Sequence, residues 1–91
     1  MAVTLNELKG YLRIDSNDDD GLLTDLISSS EKRCADILRI PENTALPDTS
    51  DVKIAVLYSA SYLYEHREEA DHNRLNLTLR ALLFGDRGDV F

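Results

Sequence analysis

The residues best equipped for chemistry are gathered in Asp15-Ser16-Asn17-Asp18-Asp19-Asp20-Gly21, a run whose spacing invites comparison with a calcium loop. With Gly21 at the loop's invariant glycine, Asp18 and Asp20 take ligand positions three and five. Position one then falls on Ser16, and the bidentate glutamate required at position twelve becomes Ile27. Two of the needed carboxylates are absent, so the run predicts no strong calcium site. Its expected role is to start a helix, because aspartates there supply caps and suit the positive end of the helix dipole.

The remaining reactive side chains are scattered. His66 and His72 stand six apart, near Glu65, Glu69 and Asp71, whereas helical metal ligands recur at three or four. They read as solvated charge. Cys34 is the single cysteine and has no histidine near it in sequence, which predicts a buried, inert thiol and no disulfide. Arg87-Gly88-Asp89 spells the integrin-binding tripeptide, but that tripeptide works outside cells. The Met1-Ala2-Val3-Thr4 start has neither a basic region nor an apolar core of a secretory signal, so a reducing cytoplasm is the expected compartment. No Ser-His-Asp set, paired-carboxylate cleft or Gly-rich phosphate loop stands out. The sequence therefore predicts no enzyme: no catalytic residues, no cofactor and no metal.

Attention shifts to the elements themselves. The 91 residues make one domain, residues 1–91, and a chain this short buries only about 60–65% of its unfolded surface. Two prolines, four glycines and no tryptophan leave long uninterrupted segments, which favours helices over a turn-rich sheet. Thr4 and Glu7 form a capping-box pattern ahead of a first helix over about 5–13, with Leu5, Leu8 and Leu12 on one stripe. A second, longer helix over about 18–39 places Leu22, Leu23, Leu26, Ile27, Cys34, Ile37 and Leu38 within about 160° of the wheel. Pro41 closes it, and residues 40–49 form a loop. Asp48 or Thr49 caps a third helix over about 49–67. A charged connector, 68–74, leads to a fourth helix over 75–84, where Leu75, Leu79, Leu82 and Leu83 repeat with helical period. Leu75, Leu77 and Leu79 also alternate as in a strand, but no partner strand exists. Gly85 stops that helix before a flexible tail, 85–91. The fold class is all-α, a small bundle of about four helices.

The third helix is unusual in being apolar on every side. Val52, Val56 and Leu63 share one face. Leu57 and Tyr64 lie a third of a turn on, Ile54 and Tyr58 lie opposite, and Ala55 and Tyr62 fill the remaining flank. Only Lys53, Ser59 and Ser61 interrupt the coat. Such a helix must be surrounded. Thirteen apolar-rich residues followed at once by Glu65-His66-Arg67-Glu68-Glu69 are too few to cross a bilayer, so no membrane is expected. A chain this small has little else with which to wrap the helix, and part of it is expected to meet another subunit.

A formal charge of −7 argues against gripping a phosphate backbone, which needs clustered lysine and arginine. It suits solubility, and it allows DNA to slide past without sticking. Two other classes fit a small acidic helical chain. One is a binding module, antitoxin-like or regulatory, that masks a basic partner. The other is suggested by Asp15-Ser16, which is similar to the prosthetic-group serine of acyl carrier proteins. In those proteins an apolar residue follows the serine, whereas Asn17 and Asp18 follow here.

Four features occur in fixed order: Leu5-x-x-Leu8-Lys9-x-Tyr11-Leu12-Arg13-Ile14-Asp15; Asp18-Asp19-Asp20-x-Leu22-Leu23-x-x-Leu26-Ile27; Leu63-Tyr64-Glu65-His66-Arg67-Glu68; and Leu82-Leu83. Together they resemble the head–tail connector proteins of tailed bacteriophages, also called head-completion or adaptor proteins and sometimes possible DNA-packaging proteins. The likeness runs over nearly the whole chain. It departs at Arg74-Leu75-Asn76, where a proline would be expected before the last helix, and at Phe84-Gly85-Asp86-Arg87, where a Tyr-Arg ending would be. The resemblance implies a structural virion protein, made in the host bacterial cytoplasm and placed at the head–tail junction. It also implies a homo-oligomeric ring beneath the portal protein, docked to the next head-completion or tail-side protein, with double-stranded DNA passing through the channel. Subunit or partner contacts are expected on the outward faces of the third and fourth helices and in the tail: Tyr58, Tyr62, Leu77, Phe84, Val90 and Phe91.

Overall fold

Thr4 and Glu7 close both halves of the capping box: the Thr4 hydroxyl accepts from the Glu7 amide at 3.1 Å, and the Glu7 carboxylate accepts from the Thr4 amide at 3.0 Å. They start the first of four helices in the computed structural model, which describes residues 3–41, 46–47, 49–66 and 68–84. The helices are α1 (Leu5–Leu12), α2 (Asp20–Leu38), α3 (Ser50–Glu65) and α4 (His72–Phe84), with no strand among the described residues. The architecture is the expected all-α bundle.

Both early helices end in the same way. Arg13 and Arg39 take left-handed backbone angles, φ 61° and 58°. Their amides bond to the carbonyls of Gly10 and Asp36, while the next amides, Ile14 and Ile40, reach back to Lys9 and Ala35 at 2.9 Å each. This is the paired bonding of a Schellman end, with arginine where glycine is usual. The half-buried Ile14 and Ile40 follow each turn. Thus α2 stops before Pro41 is reached.

The acidic corner does not cap α2 as its sequence suggests. Asp19 stands at the N-cap, yet its side chain makes no capping bond. Its carboxylate instead accepts from the Tyr64 hydroxyl at 2.7 Å. Lys9 Nζ donates to Asn17 Oδ1 and Asp20 Oδ1, both at 2.8 Å, which fastens the corner to α1. Because Asp19 opens α2 and Tyr64 nearly closes α3, the two helices run antiparallel. They form the most extensive pair, with α4 packed on both and α1 on both. Lys53 Nζ on α3 donates to Glu7 Oε2 at 2.9 Å and holds α1 from the other side. Thr49 caps α3, accepting from the Val52 amide at 3.3 Å.

The chain encloses far more of α3 than its all-round apolar coat suggests. Val52, Ala55, Val56, Ser59, Ala60, Ser61 and Leu63 are buried, and Leu57, Tyr58, Tyr62 and Tyr64 are half-buried. Small side chains make this possible, since Ala55, Ser59 and Ala60 let neighbouring helices approach closely. Ser59 and Ser61, expected as interruptions, lie inside. Ser30 of α2 is also fully buried. Ile54 alone among the large apolar residues of α3 remains mostly exposed, at 52%.

On α4 the helical repeat prevails: Leu75, Leu79 and Leu83 face the core. The helix begins at His72, three residues earlier than expected. Asp71 explains the shift, because its carboxylate accepts from the Arg74 amide at 3.0 Å and its carbonyl from the Leu75 amide at 2.9 Å. Residues 85–91, and with them the expected tail, lie outside the described residues, as do 42–45, residue 48 and residue 67.

Candidate interaction surface

Positions 54, 58, 62 and 66 form a single row along α3, because residues four apart on a helix stack one above the next. Tyr58 and Tyr62 stack with ring centroids 6.4 Å apart, and Tyr62 and His66 at 4.4 Å. Aromatic contacts of this kind add about 0.5–1.5 kcal/mol beyond area burial. The Tyr62 hydroxyl accepts from the Asp71 amide at 2.9 Å, so the ladder also fixes the turn into α4. His66 Nδ1 lies 3.0 Å from the Tyr62 carbonyl. Tyr58 and Tyr62 are therefore brought together as neighbours on one stripe, but both are half-buried and already engaged within the subunit.

Leu77 is different. It lies on the face of α4 opposite Leu75 and Leu79 and is 64% exposed. Phe84 is half-buried and packs against the core cluster. Val90 and Phe91 lie outside the described residues. Two further exposed apolar side chains join Leu77: Ile54, and Tyr11 at 54%. The sequence held a signal for Tyr11, which falls off the Leu5, Leu8 and Leu12 stripe of α1. It held none for Ile54, because every face of α3 is apolar and only the packing shows which one turns inward. Ile54 also borders a shallow depression of about 320 Å³ with Thr49, Ser50, Lys53 and Leu57.

Several titratable groups have structural roles. Arg33 donates through one terminal nitrogen to Asn76 Oδ1 at 2.8 Å, and its other lies 3.0 Å from His72 Nδ1, so this fork joins α2 to α4. Among the described residues no group of three or more His, Cys, Asp or Glu side chains is gathered so as to hold a metal ion. Burial pushes the Cys34 thiol up to about 11, from a usual 9.0, which leaves no nucleophilic thiolate near neutral pH. Hydrogen bonds from the Lys53 ammonium, and then from the Thr4 amide, hold the Glu7 carboxyl below its usual range. Ser16 is exposed at the acidic corner. No helix among the described residues is long and apolar enough to cross a membrane.

Exposed apolar residues thus stand on three different helices, Tyr11 on α1, Ile54 on α3 and Leu77 on α4, and each is available for contact. The family model described as phage gp6-like head-tail connector protein matches residues 2–80 of the 91. No curated protein and no solved structure matches the chain.

Proposed function

This chain belongs to the phage gp6-like head–tail connector family, and from that premise we propose that its copies close into a ring at the portal vertex. Membership makes it a structural component of the virion that contacts other head and tail proteins. In the proposed ring, each subunit meets its neighbours through unlike surfaces, because a head-to-tail contact closes into a ring when its rotation allows. Leu77, Ile54 and Tyr11 supply the exposed anchors, with Tyr58, Tyr62 and Phe84 beside them and Val90 and Phe91 added from the C-terminal segment. One rim meets the portal protein, and the other meets the next head-completion or tail-side protein. DNA passes through the lumen without being held, which a net charge of −7 favours by repelling phosphate.

The match over residues 2–80 is the observation that carries this reading. The exposed apolar residues on α1, α3 and α4 support it, since a ring subunit needs at least two distinct contact patches. Electron microscopy of the purified protein, alone at high concentration and with portal protein, is the direct test. Annular particles, or decoration of the portal, are expected. A compact dimer that ignores the portal and binds a basic protein instead would mark an antitoxin-like or regulatory module.

A further inference from the structure

We propose that subunits of this ring join through opposite charges: the outer face of α4 on one copy docks into the acidic depression at the α3–α4 turn of the next. The inference rests on the ring reading above and specifies which two patches meet.

The local charge changes sign between the α3–α4 connector and α4. Between residues 65 and 71 there are four carboxylates, Glu65, Glu68, Glu69 and Asp71, against Arg67 alone. Over α4 there are two arginines, Arg74 and Arg80, and no acidic residue, in a chain whose net charge is −7. Arg74, Leu77 and Arg80 are spaced by three, so they share an arc of about 120° on the helix. All three are exposed. Neither guanidinium is paired with a carboxylate among the described residues. The face is thus an apolar centre with a cation on each side.

The complementary surface exists on the same molecule. Tyr64, Glu65, His66, Glu68 and Glu69 surround an open depression of about 540 Å³. The Tyr64–Asp19 hydrogen bond brings the Asp15–Asp20 corner to that same end, which deepens its negative potential. Glu65, Glu68 and Glu69 are exposed, and half-buried Tyr64 offers a ring for Leu77 to cover. Leu77 would meet the Tyr64 ring, and arginines would meet glutamates around it.

Within one subunit the two surfaces adjoin in sequence yet present different elements, α4 and the turn before it. A contact between them is therefore heterologous, the kind that generates rings. A nucleic acid is the poorer occupant of the α4 face. Affinity for a phosphate backbone grows with the number of cations that neutralise it, and this face supplies two in a chain of net charge −7.

The test uses two full-length variants: Arg74→Glu with Arg80→Glu, and Glu65→Arg with Glu68→Arg. All four positions are exposed, so circular dichroism and the unfolding midpoint should match the wild type. Opposing like charges should weaken self-assembly of either variant about a hundredfold by sedimentation velocity. Mixed in equal amounts, the variants restore both charge pairings, and assembly should return to within about threefold of the wild type. Variants that each assemble like the wild type, or a mixture that stays dissociated, overturn the inference and leave the ring intact. Wild-type protein that never assembles, with or without portal, overturns the ring reading and this proposal with it. Duplex DNA retained by the wild type and released by the arginine variant would assign the α4 face to nucleic acid and also refute the proposal.

Discussion

Leu77 and Leu79 lie two residues apart on one helix and should respond to truncation in opposite ways. Leu79 is fully buried, so Leu79→Ala removes its transfer energy and leaves a cavity, a loss of about 2–5 kcal/mol. A domain of this length has about 5–14 kcal/mol of stability in all, so that loss is a large fraction of it. Leu77 is 64% exposed, leaving about a third of its side chain to protect the fold. Scaling a full leucine burial of about 1.5–3 kcal/mol by that third gives about 0.5–1 kcal/mol. Alanine's better helix propensity returns a few tenths of a kcal/mol of it. Urea unfolding followed by circular dichroism gives the stabilities, and sedimentation velocity gives the assembly state. Leu79→Ala should shift the midpoint strongly. Leu77→Ala should unfold almost as the wild type does while losing association. A Leu77→Ala protein that loses more than about 2 kcal/mol and still assembles normally would refute the division of α4 into a core face and a contact face.

Other expectations follow from the interior and the helix ends. Ser59 is fully buried and its hydroxyl has no hydrogen-bond partner among the described residues, so Ser59→Ala should stabilise by about 1 kcal/mol, a melting shift of about 4–8 °C; a destabilised variant would show that the hydroxyl is satisfied. Arg39→Gly should relieve left-handed strain worth about 1–2 kcal/mol, partly offset by the flexibility of glycine in the unfolded chain, and calorimetry would register a modest rise in melting temperature. Cys34 should resist a thiol reagent in the native protein at pH 8 and react at once in denaturant. Its raised folded-state pKa, about 11 against 9.0, contributes stability below pH 9 that is lost as pH rises through 11. Glu7 works in the opposite sense: its lowered folded-state pKa contributes stability above its ordinary value of 4.5, lost as pH falls through the folded value, and Glu7→Gln should flatten that acid limb in pH-dependent unfolding.

Much of the fold is legible in the sequence because its signals are local. The Thr4–Glu7 box, the helical repeat of Leu75, Leu79 and Leu83, and the cap at Thr49 each depend on residues within a few positions of one another. Long-range partners escape such reading. Nothing local says that Asp19 will accept from Tyr64 in place of capping its own helix, or that Lys9 will claim Asp20. Asp71 was hidden among other charges, so the start of α4 reads three residues late. The exposed apolar surface is half-legible for a related reason. Periodicity marks Leu77 as outward, since α4 has one clean apolar face. It fails on α3, where every face is apolar and only the packed bundle separates buried Val56 from exposed Ile54. Tyr62 looks like a docking aromatic in sequence, yet its hydroxyl and ring are engaged at the α3–α4 turn.

The enclosure of α3 changes what assembly must accomplish. A subunit that already covers its most apolar helix can fold without a neighbour, so contact energy must come from the outer surface. Each of Ile54, Leu77 and Tyr11 is half to two-thirds exposed, and burying that remainder yields about 1–2 kcal/mol apiece. Association costs at least about 4 kcal/mol in lost translational and rotational freedom. One or two such anchors and a charged rim barely offset that cost, so a single contact is weak, with a dissociation constant no tighter than about millimolar. Ring closure changes the arithmetic, because every subunit then holds two neighbours and the last joins at high effective concentration. A preformed portal would act in the same direction by aligning the subunits. The free protein is accordingly expected to sediment as a monomer at about 1–10 μM and to assemble near millimolar concentration or on portal rings. Annular particles that persist at nanomolar concentration without portal would show that a far larger surface is buried than the described residues expose.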